Sequence, residues 1–134
     1  MKVSNQVEDR KFKITEIQHY SPQIGHLVSM MNYARLTTLN AVKGLKIEQL
    51  DYLPYENSNS IGALLLHIAA VEFGFQVELF EKRKPNEEES KEWGAAYHLG
   101  DLGRNKIMDK PLEFYIEKLE KIRNRTLEEF KTHS

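Results

Sequence analysis

Three runs of apolar residues spaced at three and four, each bounded by proline, glycine or a capping residue, constrain this chain more than any other feature of its sequence. The first opens at Ser21-Pro22, where Ser can accept from the free backbone N–H groups and Pro fits a first helical position whose donor has no partner anyway. Ile24, Leu27, Val28, Met31, Leu39 and Val42 follow at helical spacing, interrupted by the charge of Arg35, and Gly44 supplies the stop. A short piece, Ile47 to Leu53, ends at Pro54, and the polar run from Glu56 to Ser60 is a loop finishing in capping residues. The second long helix is expected from about Ile61 to Lys82, with Ile61, Leu64, Leu65, Ile68, Val71, Phe75 and Leu79 as one wide apolar face and Pro85 closing it. The third begins near Pro111, where Leu112, Tyr115, Leu119, Ile122, Leu127 and Phe130 keep the spacing to the end. Between them, Asn86 to Lys110 holds Glu87-Glu88-Glu89, Trp93-Gly94, Gly100 and Gly103, and reads as a long, partly structured connection, a lid or a crossover. No block alternates with period 2, so the expected fold class is all-α: an antiparallel helical bundle of three long helices plus a short one. Bundles of such helices usually close as four, which leaves a smaller triangular core, a dimer that completes the bundle, or a chain that has lost an element.

A length of 134 residues makes a single domain, 1–134, the default, with 1–20 as a polar N-terminal extension. Lys and Arg number 19 against 20 Asp and Glu, for a net charge of -1, so nothing supplies the excess cation that phosphate backbones select for, and no nucleic-acid partner is expected. No stretch reads as the roughly 20 apolar residues of a membrane helix, and Met1 to Tyr20 lacks the apolar centre of a signal peptide. A cytoplasmic location and no membrane follow as expectations. Cys is absent, which excludes a disulfide framework, thiolate metal ligands and a Cys nucleophile, and leaves His and carboxylates as metal donors. The acidic triplet and the Glu81-Lys82-Arg83-Lys84 run read as solvated helix ends.

His67 is the first candidate for chemistry, because it lies in the middle of the second helix, in Leu64-Leu65-Leu66-His67-Ile68-Ala69-Ala70, with Ala63, Ala70 and Gly74 leaving space at its ring. An imidazole on a rigid helix is a good fixed donor for a metal, and it is equally a packed side chain with one satisfied nitrogen. Glu72, on the far flank of the same stripe, reads as a general base, a support for the metal ligand, or a structural carboxylate, and Glu78 as an exposed or core-edge group. His26 on the first helix is a second conceivable donor across the bundle, whereas nothing in the spacing of His19, His98 and His133 argues for a metal. Trp93, Tyr97 and Tyr115 line a pocket or fill core and rim. The sequence has no His-Glu-x-x-His, no phosphate-binding glycine loop and no nucleophile elbow.

Met31-Asn32-Tyr33-Ala34-Arg35, the run from Gly44 to Asp51, Ser58-Asn59-Ser60-Ile61-Gly62 and His67-Ile68-Ala69-Ala70-Val71-Glu72 together resemble, in order and spacing, the DinB-like superfamily of metal-binding helical bundles, from about Ile24 to Lys131. The resemblance implies an up-down-down-up four-helix bundle and a divalent metal, nickel or zinc, held by three histidines, of which His67 matches the first. The other two come in the family as a His-x-x-x-His pair on a fourth helix; this sequence has no such pair, and His133 stands alone. On this reading the chain is a shortened member or a piece of a longer protein. Characterised relatives are transferases and isomerases that use low-molecular-weight thiols such as mycothiol or bacillithiol, whose own sulfur is the nucleophile, consistent with a chain free of Cys. The resemblance thus implies a metal-dependent thiol transferase or hydrolase acting on a small molecule. The competing expectation is a non-catalytic helical binding module, a homodimer in which a second copy covers the groove left by the missing helix.

Overall fold

The computed structural model describes residues 14–132, all helix and connection with no strand among them. Six helices follow in order: α1 Pro22–Val42, α2 Ile47–Asp51, α3 Ile61–Phe80, α4 Glu87–His98, α5 Gly100–Lys106 and α6 Leu112–Thr132. The chain divides into two compact units, one of Met1–Lys43 with Leu127–Ser134 and the other of Gly44–Thr126.

In the first unit Ser21 caps α1 as expected, its hydroxyl accepting from the Ile24 N–H at 3.3 Å with Pro22 at the first position. The segment before it lies close against α1: the Thr15 N–H donates to Ser29 Oγ at 3.1 Å, and a Cβ on Gly25 would sit 2.8 Å from the Ile17 nitrogen. Val28 and Val42 are buried, whereas Leu27, Met30 and Tyr33 are exposed. The last turns of α6, from Leu127, belong to this unit, and His133 lies outside the described residues.

The second unit is built around α3. Ser60 caps it through the Ala63 N–H at 3.0 Å, and the Arg104 guanidinium holds the preceding loop by donating to the Asn57 and Ser58 carbonyls at 3.0 and 3.2 Å. The face that α3 buries is not the apolar stripe expected of it. Ala63, Leu65, Ala69, Ala70, Phe73, Gln76 and Val77 are turned inward, while Ile61, Leu64, Ile68, Phe75 and Leu79 stay 38 to 61% exposed. The reason is steric: α3 is apolar nearly all round, and its small residues let neighbouring helices approach more closely than its large ones can. At Gly62 the α6 ring of Tyr115 comes so near that a Cβ would lie 2.6 Å from its hydroxyl.

Two further expectations are corrected here. By length and composition α3 is apolar enough to cross a membrane, against the expectation that no stretch would be. In this fold the polar Gln76 of that helix is 1% exposed, and its amide nitrogen donates to the Ile122 carbonyl and Thr126 Oγ1, both at 2.7 Å, inside a helical core, while its Oε1 has no hydrogen-bond partner among the described residues. Secondly, the long, partly structured connection expected after Pro85 is two helices. Asn86 and Glu89 cap α4 reciprocally, side-chain oxygen to backbone N–H at 2.9 Å each way, and Trp93 and Ala96 bury its inner face against α3.

Candidate functional site

His67 stands on α3 facing α4, half-buried, with Nδ1 2.8 Å from the Ala96 carbonyl. A carbonyl can only accept, so a proton sits on Nδ1, and in the neutral form of the ring the lone pair is on Nε2. A backbone carbonyl holding one nitrogen while the other stays available is how metal-bound and proton-accepting imidazoles are commonly oriented. The Tyr97 ring lies next to it, 6.5 Å between centroids and tilted by 52°, and Tyr97 in turn meets His98 edge-on at 5.3 Å.

One turn on from His67 the same face of α3 opens. Ala70, Val71, Gly74 and Glu78 continue the His67 line along the helix, and with α4 they bound a cleft of about 860 Å³, inside the range of small-molecule sites. Phe73 and Trp93 stack across its wall, with centroids 5.4 Å apart and planes at 19°. Phe75 and Tyr97 add two half-exposed rings, and Lys82, Arg83 and Lys84 stand at the end where α3 stops. Arg83 is spent on neighbouring carboxylates: its guanidinium donates to Glu89 at 2.7 and 3.0 Å and to Glu81 at 3.3 Å. The Arg83 hydrogen bond, with help from the Asn86 N–H, holds the Glu89 carboxyl down at about 2, against the opposing pull of desolvation.

The remaining sequence candidates fall elsewhere. Glu72 is bound in an ion pair with Arg123 of α6, Nη2 to Oε1 at 3.0 Å, each side chain 13% exposed, and it also accepts from Thr126 Oγ1 at 2.7 Å. It anchors α3 to α6 rather than supporting His67. Tyr115 is wholly buried under Gly62 and does not reach the cleft. Glu78, Trp93 and Tyr97 do line it, and so does His98, which sequence spacing gave no reason to choose. His26 is exposed on α1 in the first unit. His67 fits the part of one metal ligand; no group of three or more His, Asp or Glu that could hold a metal occurs among the described residues.

A helical unit whose central helix carries an oriented imidazole beside a cleft of small-molecule size describes the class. Residues 26–131 match the model of the mycothiol-S-transferase family, one of the DinB-like families, and the chain belongs to it. No curated protein matches the chain.

Proposed function

We propose that this chain joins a low-molecular-weight thiol to a small electrophile bound in the α3–α4 cleft, with His67 readying the thiol. The observation that carries the reading is that a family match over residues 26–131 spans a cleft whose floor begins one turn from His67. In such a transfer the S–C bond forms, the bond from carbon to its leaving group breaks, and the thiol proton must go to a base. The Ala96 carbonyl keeps His67 Nδ1 protonated, so the lone pair on Nε2 is what this chain offers the incoming thiol. In a chain that carries a divalent metal, nickel or zinc, the same lone pair would hold the metal instead, the metal would favour the thiolate, and the thiol proton would leave to solvent rather than to His67. Trp93 and Phe73 form the apolar side of the cleft on which the electrophile would rest. A cytoplasmic site of action goes with this reading, since reduced small thiols are the pool of that compartment.

The test is elemental mass spectrometry on the purified chain and on His67→Ala after the same mild chelator wash, beside thiol consumption assayed with mycothiol and with bacillithiol. About one equivalent of metal in the parent and none in the variant supports His67 as a ligand. A loss of about 100-fold or more in thiol consumption supports it as the activating group, and undiminished consumption by the variant overturns that role. A second reading is favoured by the exposed large residues of α3: a non-catalytic module that a second copy of the chain covers.

A further inference from the structure

We propose that the α3–α4 cleft takes a flat aromatic ligand carrying an anionic group, with the ring between the aromatic walls and the anion at Lys82 and Lys84. This rests on reading the cleft as the substrate site and names the class of acceptor it selects.

The space for a ring is set by missing side chains. A Cβ on Gly94 would meet nothing within 4 Å, and one on Gly74 would meet only Tyr97 Cε2, at 3.7 Å, so the two facing helices leave a slot where ordinary residues would fill it. The slot is bordered by Phe73, Trp93, Phe75 and Tyr97, and rings prefer offset stacking or edge contacts with other rings at such distances.

The anion follows from charge bookkeeping at the rim. Arg83 and Glu89 satisfy each other, as described above. Lys82 and Lys84 make no side-chain hydrogen bond or ion pair among the described residues, and both border the cleft. Against their two charges stands one carboxylate, Glu78, and Tyr97 and His98 are the remaining titratable groups on the lining. The rim is therefore left with cationic capacity that no side chain among the described residues uses.

Lys82 carries a further mark. Its backbone has φ 53°, the left-handed region, at the position just past the end of α3 where glycine is the inexpensive choice. A lysine held there costs stability that glycine would not, which fits a side chain retained for what its ammonium binds.

Trp93 is the chain's one tryptophan and lines the cleft, so its emission reports occupancy directly, without thiol, metal or turnover. The probes are biphenyl-4-acetate and its neutral amide, titrated separately into the full chain. We expect saturable change in Trp93 emission with the acid binding at least about 10-fold tighter than the amide, a single charge-assisted contact being enough for that ratio. Lys82→Gln with Lys84→Gln should bring the ratio near one. Gly94→Leu should abolish binding of both probes while helix content holds, since leucine favours a helix interior over glycine. Lys82→Gly should raise the melting temperature while weakening the acid alone. Equal binding of acid and amide by the parent overturns the anion preference; no saturable change, or binding that survives Gly94→Leu, overturns the cleft as the site. Because no thiol is present, these results stand apart from the transferase reading: acid binding without any thiol consumption would keep this inference and sink that one.

Discussion

At the scale of single residues, Gly62 and Tyr115 compete for the same few ångströms. The ring of Tyr115 is wholly buried, so it cannot swing away from a methyl placed 2.6 Å from its oxygen, and Gly62→Ala must strain the core. Overpacking of this kind costs about 1–3 kcal/mol and better helix propensity returns about 1, so a net loss of about 1 kcal/mol is expected in chemical denaturation. The Tyr115 hydroxyl has no hydrogen-bond partner among the described residues, and Tyr115→Phe removes a buried orphan group, which should leave stability unchanged or raise it and soften the cost of Gly62→Ala. Burial, followed by the charges of Asp51 and Asp109, pushes the Tyr115 phenol from 10.0 up to about 12. A folded value above the unfolded one means the fold holds the proton longer, so this stabilisation is whole below pH 10 and is lost as pH rises toward 12. Melting temperatures between those values should fall in the parent and fall less in Tyr115→Phe; identical alkaline limbs would show that the phenol is not the group responsible.

At the scale of elements, what was legible depended on caps more than on periodicity. Ser21-Pro22 and Ser60 announced α1 and α3 because a hydroxyl at that position satisfies backbone donors whatever the tertiary context. The spacing in α3 gave a stripe but not its direction: with Ala63, Ala69 and Ala70 on one side and Leu64, Ile68 and Leu79 on the other, both faces are apolar, and close helix approach chose the small one. α4 was missed because only Trp93 and Ala96 of its 12 residues are buried, too few for a period to emerge, although Asn86 followed by Glu89 was a readable start signal. Replacing Asn86 with Ala should cost about 1 kcal/mol, seen first as faster hydrogen exchange in α4. The same helix should be acid-sensitive. Glu89 is held below its ordinary value of 4.5, so its contribution is present above that pH and drains away as pH falls toward 2. Exchange rates in α4 should rise over that window in the parent, and Glu89→Gln should flatten the dependence; an unchanged profile in the variant would assign the effect to another carboxylate.

At the scale of the whole molecule, the candidate site was half legible. His67 stood out in the sequence, since a histidine among Leu66, Ile68 and Ala69 is unusual wherever it points. The cleft beside it could not be read, because it exists only where α4 faces α3 across two glycines, and α4 was itself invisible. Most of the stripe that the sequence assigned to the core is exposed in the folded chain: Ile61, Leu64, Ile68, Phe75 and Leu79 run the length of α3 as surface, while Leu65 is buried. Contiguous apolar surface of this kind is uncommon on monomers, and one helix face repeated by a twofold axis is the simplest cover for it, being complementary to itself by symmetry. A net charge of only -1 offers little repulsion between copies. The prediction is a dimer in sedimentation velocity at micromolar concentration. Leu64→Glu with Ile68→Glu, both outside the cleft lining, should convert it to a monomer with unchanged helix content, since the two side chains are already exposed in the single chain. A parent that sediments as a compact monomer across that range would mean the stripe meets something other than a second copy, and would remove the module reading's chief support while leaving the cleft and His67 to be judged by their own experiments.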